Sequence, residues 1–126
     1  MPTSNTQMIY KLQFALNSHG MRVLCNRSQF FSEVQNRPIT VYKLVQSRFD
    51  GSKNRHIELF STPSQIQMVL FMRNLWYTLN GNEVPKTNGM KGAREFNLAW
   101  KNFVDSELQD CLTCARQNSG KGDEDG

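Results

Sequence analysis

Apolar residues recur at three- and four-residue spacing between Thr6 and Ser18, where Met8, Ile9, Leu12, Ala15 and Leu16 form one stripe. That period predicts a helix, with Asn5 placed to cap its start and Gly20 to end it in the left-handed conformation. The period then shortens. Met21–Asn26 alternates loosely, and Ile39–Phe49, following Pro38, is dense in β-branched and aromatic residues. Both read as strands. Asp50-Gly51 signals a hairpin because Gly accepts the positive φ such turns need, and Asn54–Phe60 is the return strand. Two registers are open. A two-residue Asp50-Gly51 loop sets Lys43 opposite Glu58 and puts Tyr42, Leu44, Ile57 and Leu59 on one face. A three-residue Gly51–Lys53 loop gathers Val41, Val45, Ile57 and Leu59 instead, since a one-residue slip exchanges the faces.

Thr62 is placed to cap the next helix, with Ser61 as a second choice and Pro63 at the first helical position. The helix Pro63–Leu79 is apolar nearly all round, with Gln67, Asn74 and Thr78 as its narrow polar line, so it belongs at the centre of the fold. Gly81 ends it. Asn82–Gly92 is a loop by composition. A last helix is expected over Ala93–Gln117, where Phe96, Ala99, Trp100, Phe103, Val104, Leu108, Cys111, Leu112 and Ala115 form one stripe suited to covering the central helix. The expectation is an α+β fold: an αβββα core with a three-stranded antiparallel sheet, helices on one face, and a C-terminal helix packing on the central helix. Residues 1–116 form one domain. The segment 117–126 (QNSGKGDEDG) has no apolar side chain to bury and reads as a disordered acidic tail.

Charge divides the chain. Residues 1–101 hold thirteen Lys and Arg against five acids, whereas residues 102–126 hold two against six. A basic body suits a polyanionic partner, although a solvated surface also carries such an excess. The polar start and the odd set Cys25, Cys111 and Cys114 argue against a secreted disulfide scaffold. The longest apolar run, Met68–Met72, is far short of a bilayer span. A cytoplasmic location without membrane insertion is expected.

No catalytic constellation stands out. Cys111-Leu-Thr-Cys114 is a lone CxxC near the end of its helix, where the dipole opposes a thiolate, and it reads as core packing. His19 and His56 lie in no nucleophile or metal motif. The carboxylates Glu33, Asp50, Glu58, Glu83 and Glu95 do not cluster in sequence, and no phosphate-binding glycine loop occurs. No enzyme activity, metal or cofactor is expected. The remaining signal is basic: Arg22, Arg27, Arg37, Lys43, Arg48, Lys53 and Arg55 fall in the sheet region or its loops, interleaved with Tyr42, Phe30, Phe31 and Phe49. Such a surface holds phosphates and stacks bases. The competing reading makes the aromatics core and the cations edge solvation. Lys91 and Arg94, in GMKGAR at a helix start, favour an anion there, or belong to a flexible linker.

Two segments, Ser28–Gln46 and Glu58–Pro85, resemble small uncharacterised proteins carried on conjugative elements and phages of Gram-positive gut bacteria. The resemblance covers about half the chain and implies a mobile-element setting, with no site residues attached. The αβββα order is also similar to that of double-stranded RNA-binding domains. That module's lysine cluster at the start of its second helix has no counterpart in Ser61–Gln67. The function expected is a non-enzymatic nucleic-acid-binding accessory protein of a mobile element or phage. Arg22, Arg27, Tyr42, Lys43, Arg48, Lys53, Arg55, Lys91 and Arg94 are its candidate contacts. The alternative is a protein-interaction module, such as an inhibitor of a host defence or replication complex, using surplus aromatics such as Phe30, Phe31 or Trp76. A homodimer through the long last helix is one form of it.

Overall fold

The computed structural model describes the backbone of residues 4–124 and the side chains of residues 4–118. Its elements are α1 (Asn5–Ser18), β1 (Val23–Ser32), β2 (Arg37–Phe49), β3 (Asn54–Thr62), α2 (Gln65–Leu79), α3 (Ala93–Ser106) and α4 (Leu108–Glu124). The fold is α+β, with the expected αβββα core. The strands form one antiparallel sheet in the order β1-β2-β3.

Local chemistry sets the ends of the elements. Ser4, not Asn5, caps α1: its side chain accepts from Gln7 N while the Gln7 side chain accepts from Ser4 N. Gly20 leaves the helix at φ +89°, the left-handed region expected of it. α2 starts later than expected. Ser64 is its cap, and Thr62, the last residue of β3, accepts from Ser64 N and donates to Gln67 Oε1.

β1 continues well past Asn26 and turns through Glu33–Asn36 into β2, so this first hairpin is longer than the sequence indicates. Glu33–Asn36 holds no Gly or Pro to announce a turn; Asn36 supplies the positive φ, +52°. The β2–β3 loop follows neither expected register. Phe49 faces Asn54 across a four-residue loop, and a bulge beside Leu44/Val45 shifts the pairing, setting Leu44 opposite Phe60 and Lys43 opposite Ser61. The bulge brings Tyr42, Leu44, Ile57, Leu59 and Phe60 together toward the helices.

α1 and α2 pack on that inner face. Leu12 and Leu16 of α1, Met68, Phe71, Met72 and Leu75 of α2, and Leu44 of β2 form the centre of the core. The expected single last helix is two. Glu107, at φ −131°, breaks the run, and no residue there is a helix breaker, so the stripe alone cannot reveal it. The break splits the labour. α3 covers α2, with Trp100 and Phe103 edge-on to Phe71. α4 packs instead on the sheet's end. There Cys111 is fully buried and its carbonyl accepts from Gln46 Nε2. α4 also runs beyond Gln117, where the acidic tail was expected to begin, and Asn118 donates to Gly20 O. The side chains of the rest of that tail lie outside the described residues.

Candidate nucleic-acid interface

Where the β2–β3 hairpin meets α4, a groove of about 960 Å³ opens, and Arg22, Arg48, Arg55 and Arg116 line it with Phe49, Asp50 and Asp110. Each arginine comes from a different segment. Arg22 sits between α1 and β1 with φ +56°, a left-handed conformation that costs a non-glycine residue about 1–2 kcal/mol. Its neighbours enforce it: Met21 is fully buried on one side, and the Arg22 carbonyl accepts from Ser47 N. The guanidinium is left at the groove.

Arg48 and Arg55 face each other across β2 and β3. Two like charges opposite one another repel, and each is drawn to its own acid. Arg48 Nε donates to Gln46 Oε1 at 2.8 Å, and its Nη2 meets Glu107 Oε1. That contact is an ion pair without hydrogen-bond alignment, and both atoms are buried with no other partner. Arg55 Nε pairs with Asp50 Oδ2 at 2.9 Å. The other Asp50 oxygen accepts from Lys53 N, Ser52 N and Ser52 Oγ. These bonds, the Lys53 amide foremost, hold its carboxyl below the usual aspartate value, so it stays charged.

Arg22 and Arg116 differ: both are exposed, and neither has an ion-pair partner among the described residues. Phe49 stands at the rim with 63% of its surface exposed, so here the aromatic is not core. Two guanidinium groups without an ion-pair partner among the described residues, two paired ones and the exposed Phe49 share one concave surface with Asp50 and Asp110.

The other candidate contacts lie elsewhere. Lys53 is in the hairpin loop, exposed. Lys43 points from the outer sheet face and reaches Glu58 at 3.8 Å. Arg27 and Tyr42 share a smaller cavity with Tyr10 of α1. Lys91 and Arg94 flank the start of α3, where Gly92 is so close to α2 that a Cβ would lie 2.7 Å from Gln67 Nε2. The structure therefore brings together Arg22, Arg48 and Arg55, and not Arg27, Tyr42, Lys43, Lys91 and Arg94. Arg116 escaped the sequence reading because it stands at the edge of an expected tail; only the break at Glu107 turns α4 toward the groove.

The cysteines and histidines add no second site. Burial pushes the Cys111 thiol up to about 12, so it stays protonated at neutral pH. Cys114 lies against Ser47 O at 3.8 Å. His19 caps the end of α1 and meets Trp76 edge-on at 5.1 Å. Ser47 Oγ and His56 Nδ1 lie 3.3 Å apart on the outer face, with no carboxylate hydrogen-bonded to the ring among the described residues. Among the described residues no three His, Cys, Asp or Glu gather as metal ligands. No described helix is long and apolar enough to cross a membrane. No family model matches the chain, and no curated protein or solved structure matches it significantly.

Proposed function

We propose that this protein binds single-stranded nucleic acid through the arginine groove, as an accessory protein of the mobile-element setting its sequence implies. The observation that carries the reading is the convergence of four arginines from four segments on one groove, with Arg22 and Arg116 unpaired among the described residues. Phosphates dock on Arg22 and Arg116 and release counterions. Arg55 exchanges Asp50 for a phosphate oxygen as the strand enters. Arg48, paired with Glu107 and bonded to Gln46, shapes the wall. A base stacks on Phe49, which favours a single strand because its bases are free to unstack. Recognition is of backbone charge and not of sequence.

Fluorescence anisotropy with single-stranded and duplex oligonucleotides over a salt series tests this. Single-strand affinity should fall steeply with salt. The double reversal Arg22→Glu/Arg116→Glu should cost at least about tenfold and flatten the slope by about 1.4, the change for two lost phosphate contacts. Equal binding by wild type and double variant removes the groove from the account.

A second reading, a protein partner, is favoured by one observation: the β1–β2 hairpin carries Phe30, Phe31 and Val34 at 53%, 59% and 96% exposure.

A further inference from the structure

The sheet has two edges, and the fold treats them differently. β3 carries the bulge, and Arg55, His56 and Glu58 lie along it; both are devices that discourage further pairing. β1 is closed along only half its length. Val23 N donates to Asn17 Oδ1 at 2.7 Å, and Asn17 Nδ2 donates to Val23 O at 2.9 Å. Cys25 N donates to Gln13 Oε1 at 2.9 Å. These two side chains of α1 stand in for a neighbouring strand. They also fix which groups face outward. In an antiparallel pair alternate residues turn their N–H and C=O groups away from the partner, so Arg27, Gln29 and Phe31 continue the outward row begun by Val23 and Cys25. None of these three amides has a partner among the described residues.

Exposed apolar side chains gather along the same edge. On α1, Tyr10 and Phe14 lie on the turn beside Gln13 and Asn17, at 66% and 77% exposure. On β1, Leu24, Phe30 and Phe31 are more than half exposed. Within this edge from Val23 to Ser32 there is no Pro or bulge to blunt it, and Arg27 is its one charge.

We infer that the open half of β1 pairs antiparallel with β1 of a second copy, joining the two sheets into one. The occupant is argued from self-complementarity. With Gln29 facing Gln29 of the second copy, Arg27 faces Phe31 in both halves of a twofold arrangement. A cation then lies by an aromatic ring twice, and no two like charges are opposed. The Gln13 bond at Cys25 ends the ladder at Arg27, so α1 sets the register. Continued in that register, the exposed hairpin tip at Val34 of one copy reaches Leu24 of the other, while Tyr10 and Phe14 flank the seam. Each copy thus covers the patch the other exposes. The paired stretch Arg27–Phe31 lies at the other end of β1 from Arg22, so only the partner's hairpin tip, at Leu24, comes near the arginine groove. Its failure leaves the nucleic-acid reading untouched.

The test is solution mass over a dilution series, combined with hydrogen exchange of the full chain. The wild type should run as two chains when concentrated and one when dilute, with the Arg27, Gln29 and Phe31 amides protected only when concentrated. Gln29→Pro removes an outward N–H and leaves the backbone ladder to β2 in place, losing only the exposed Gln29 Nε2 bond to Thr40 Oγ1 at 3.3 Å, and should weaken self-association by about tenfold or more. Phe31→Lys places a cation opposite Arg27 and serves if the proline variant fails to fold; it should also give one-chain mass, with the melting temperature of the dilute wild type. A monomeric wild type at high concentration overturns the inference, whichever other partner the edge then takes. So does a dimer whose three amides stay unprotected, or one that neither variant weakens.

Discussion

The two ends of the β1–β2 ladder are built from the same strands and face opposite demands. At one end Gln46 opposes Val23, and both are buried beneath α1 and α4. At the other, Phe31 opposes Pro38 and Phe30 opposes Ile39, and the hairpin stands clear of the body, with Phe30, Phe31 and Val34 largely in solvent. Stability is concentrated where the ladder is covered by helices. The surface available to partners is concentrated where it is not. The same sheet therefore divides into a part that holds the fold and a part the fold can do without.

The largest test of that division is core truncation. Phe71→Ala removes a fully buried ring that stacks on Phe60 at 4.4 Å, and should cost about 3–5 kcal/mol in urea unfolding. Phe30→Ser, the same ring lost from the arm, should stay within about 0.5 kcal/mol. Equal costs would break the comparison.

Next comes the polar hub beneath the covered end. Gln46 is fully buried; it donates to Met21 O and Cys111 O and accepts from Arg48 Nε. Gln46→Leu strands those groups and should cost about 1–3 kcal/mol by the same measurement. Arg48→Met leaves the Glu107 carboxylate without its cation. That position is partly wet, with 28% of the Glu107 side chain exposed, so a cost of about 1–2 kcal/mol is expected, recovered in part by adding Glu107→Gln. A double variant no better than the single one would deny that the pair is coupled.

The smallest effect sharpens the groove wall. The Asp50 carboxyl titrates below its usual 3.8 in the folded chain. Its contribution is complete above that value and is lost as pH falls through the lower folded value. The stability gap between wild type and Asp50→Asn should hold from neutral pH to about pH 4 and close below it. A gap that closes near pH 6 would assign it to another group.

How much of this the sequence carries depends on the range of the interaction. The stripe of α1, the β2 strand and the apolar α2 are local patterns, and each appears where its period puts it. The core face Tyr42, Leu44, Ile57 and Leu59 was one of two readings, and only the bulge at Leu59–Phe60 reconciles it with the observed loop. The break at Glu107 is not local: its acid is matched to Arg48, far away in sequence. From that break follow the placement of α4, the contribution of Arg116 and the groove itself. Arg22, Arg48 and Arg55 were legible as cations near a sheet. That they meet, and that Lys43, Lys91 and Arg94 do not join them, depends on register and helix packing that residue spacing does not encode.

Binding of a single strand in the groove can be read residue by residue, by titrating isotope-labelled protein with a single-stranded oligonucleotide and following its amide NMR signals. Shifts should concentrate at Arg22, Phe49, Arg55, Thr113 and Gln117 and vanish at high salt, with the arm at Phe30, Phe31 and Val34 unmoved. Shifts centred on the arm, or none at low salt, would contradict it.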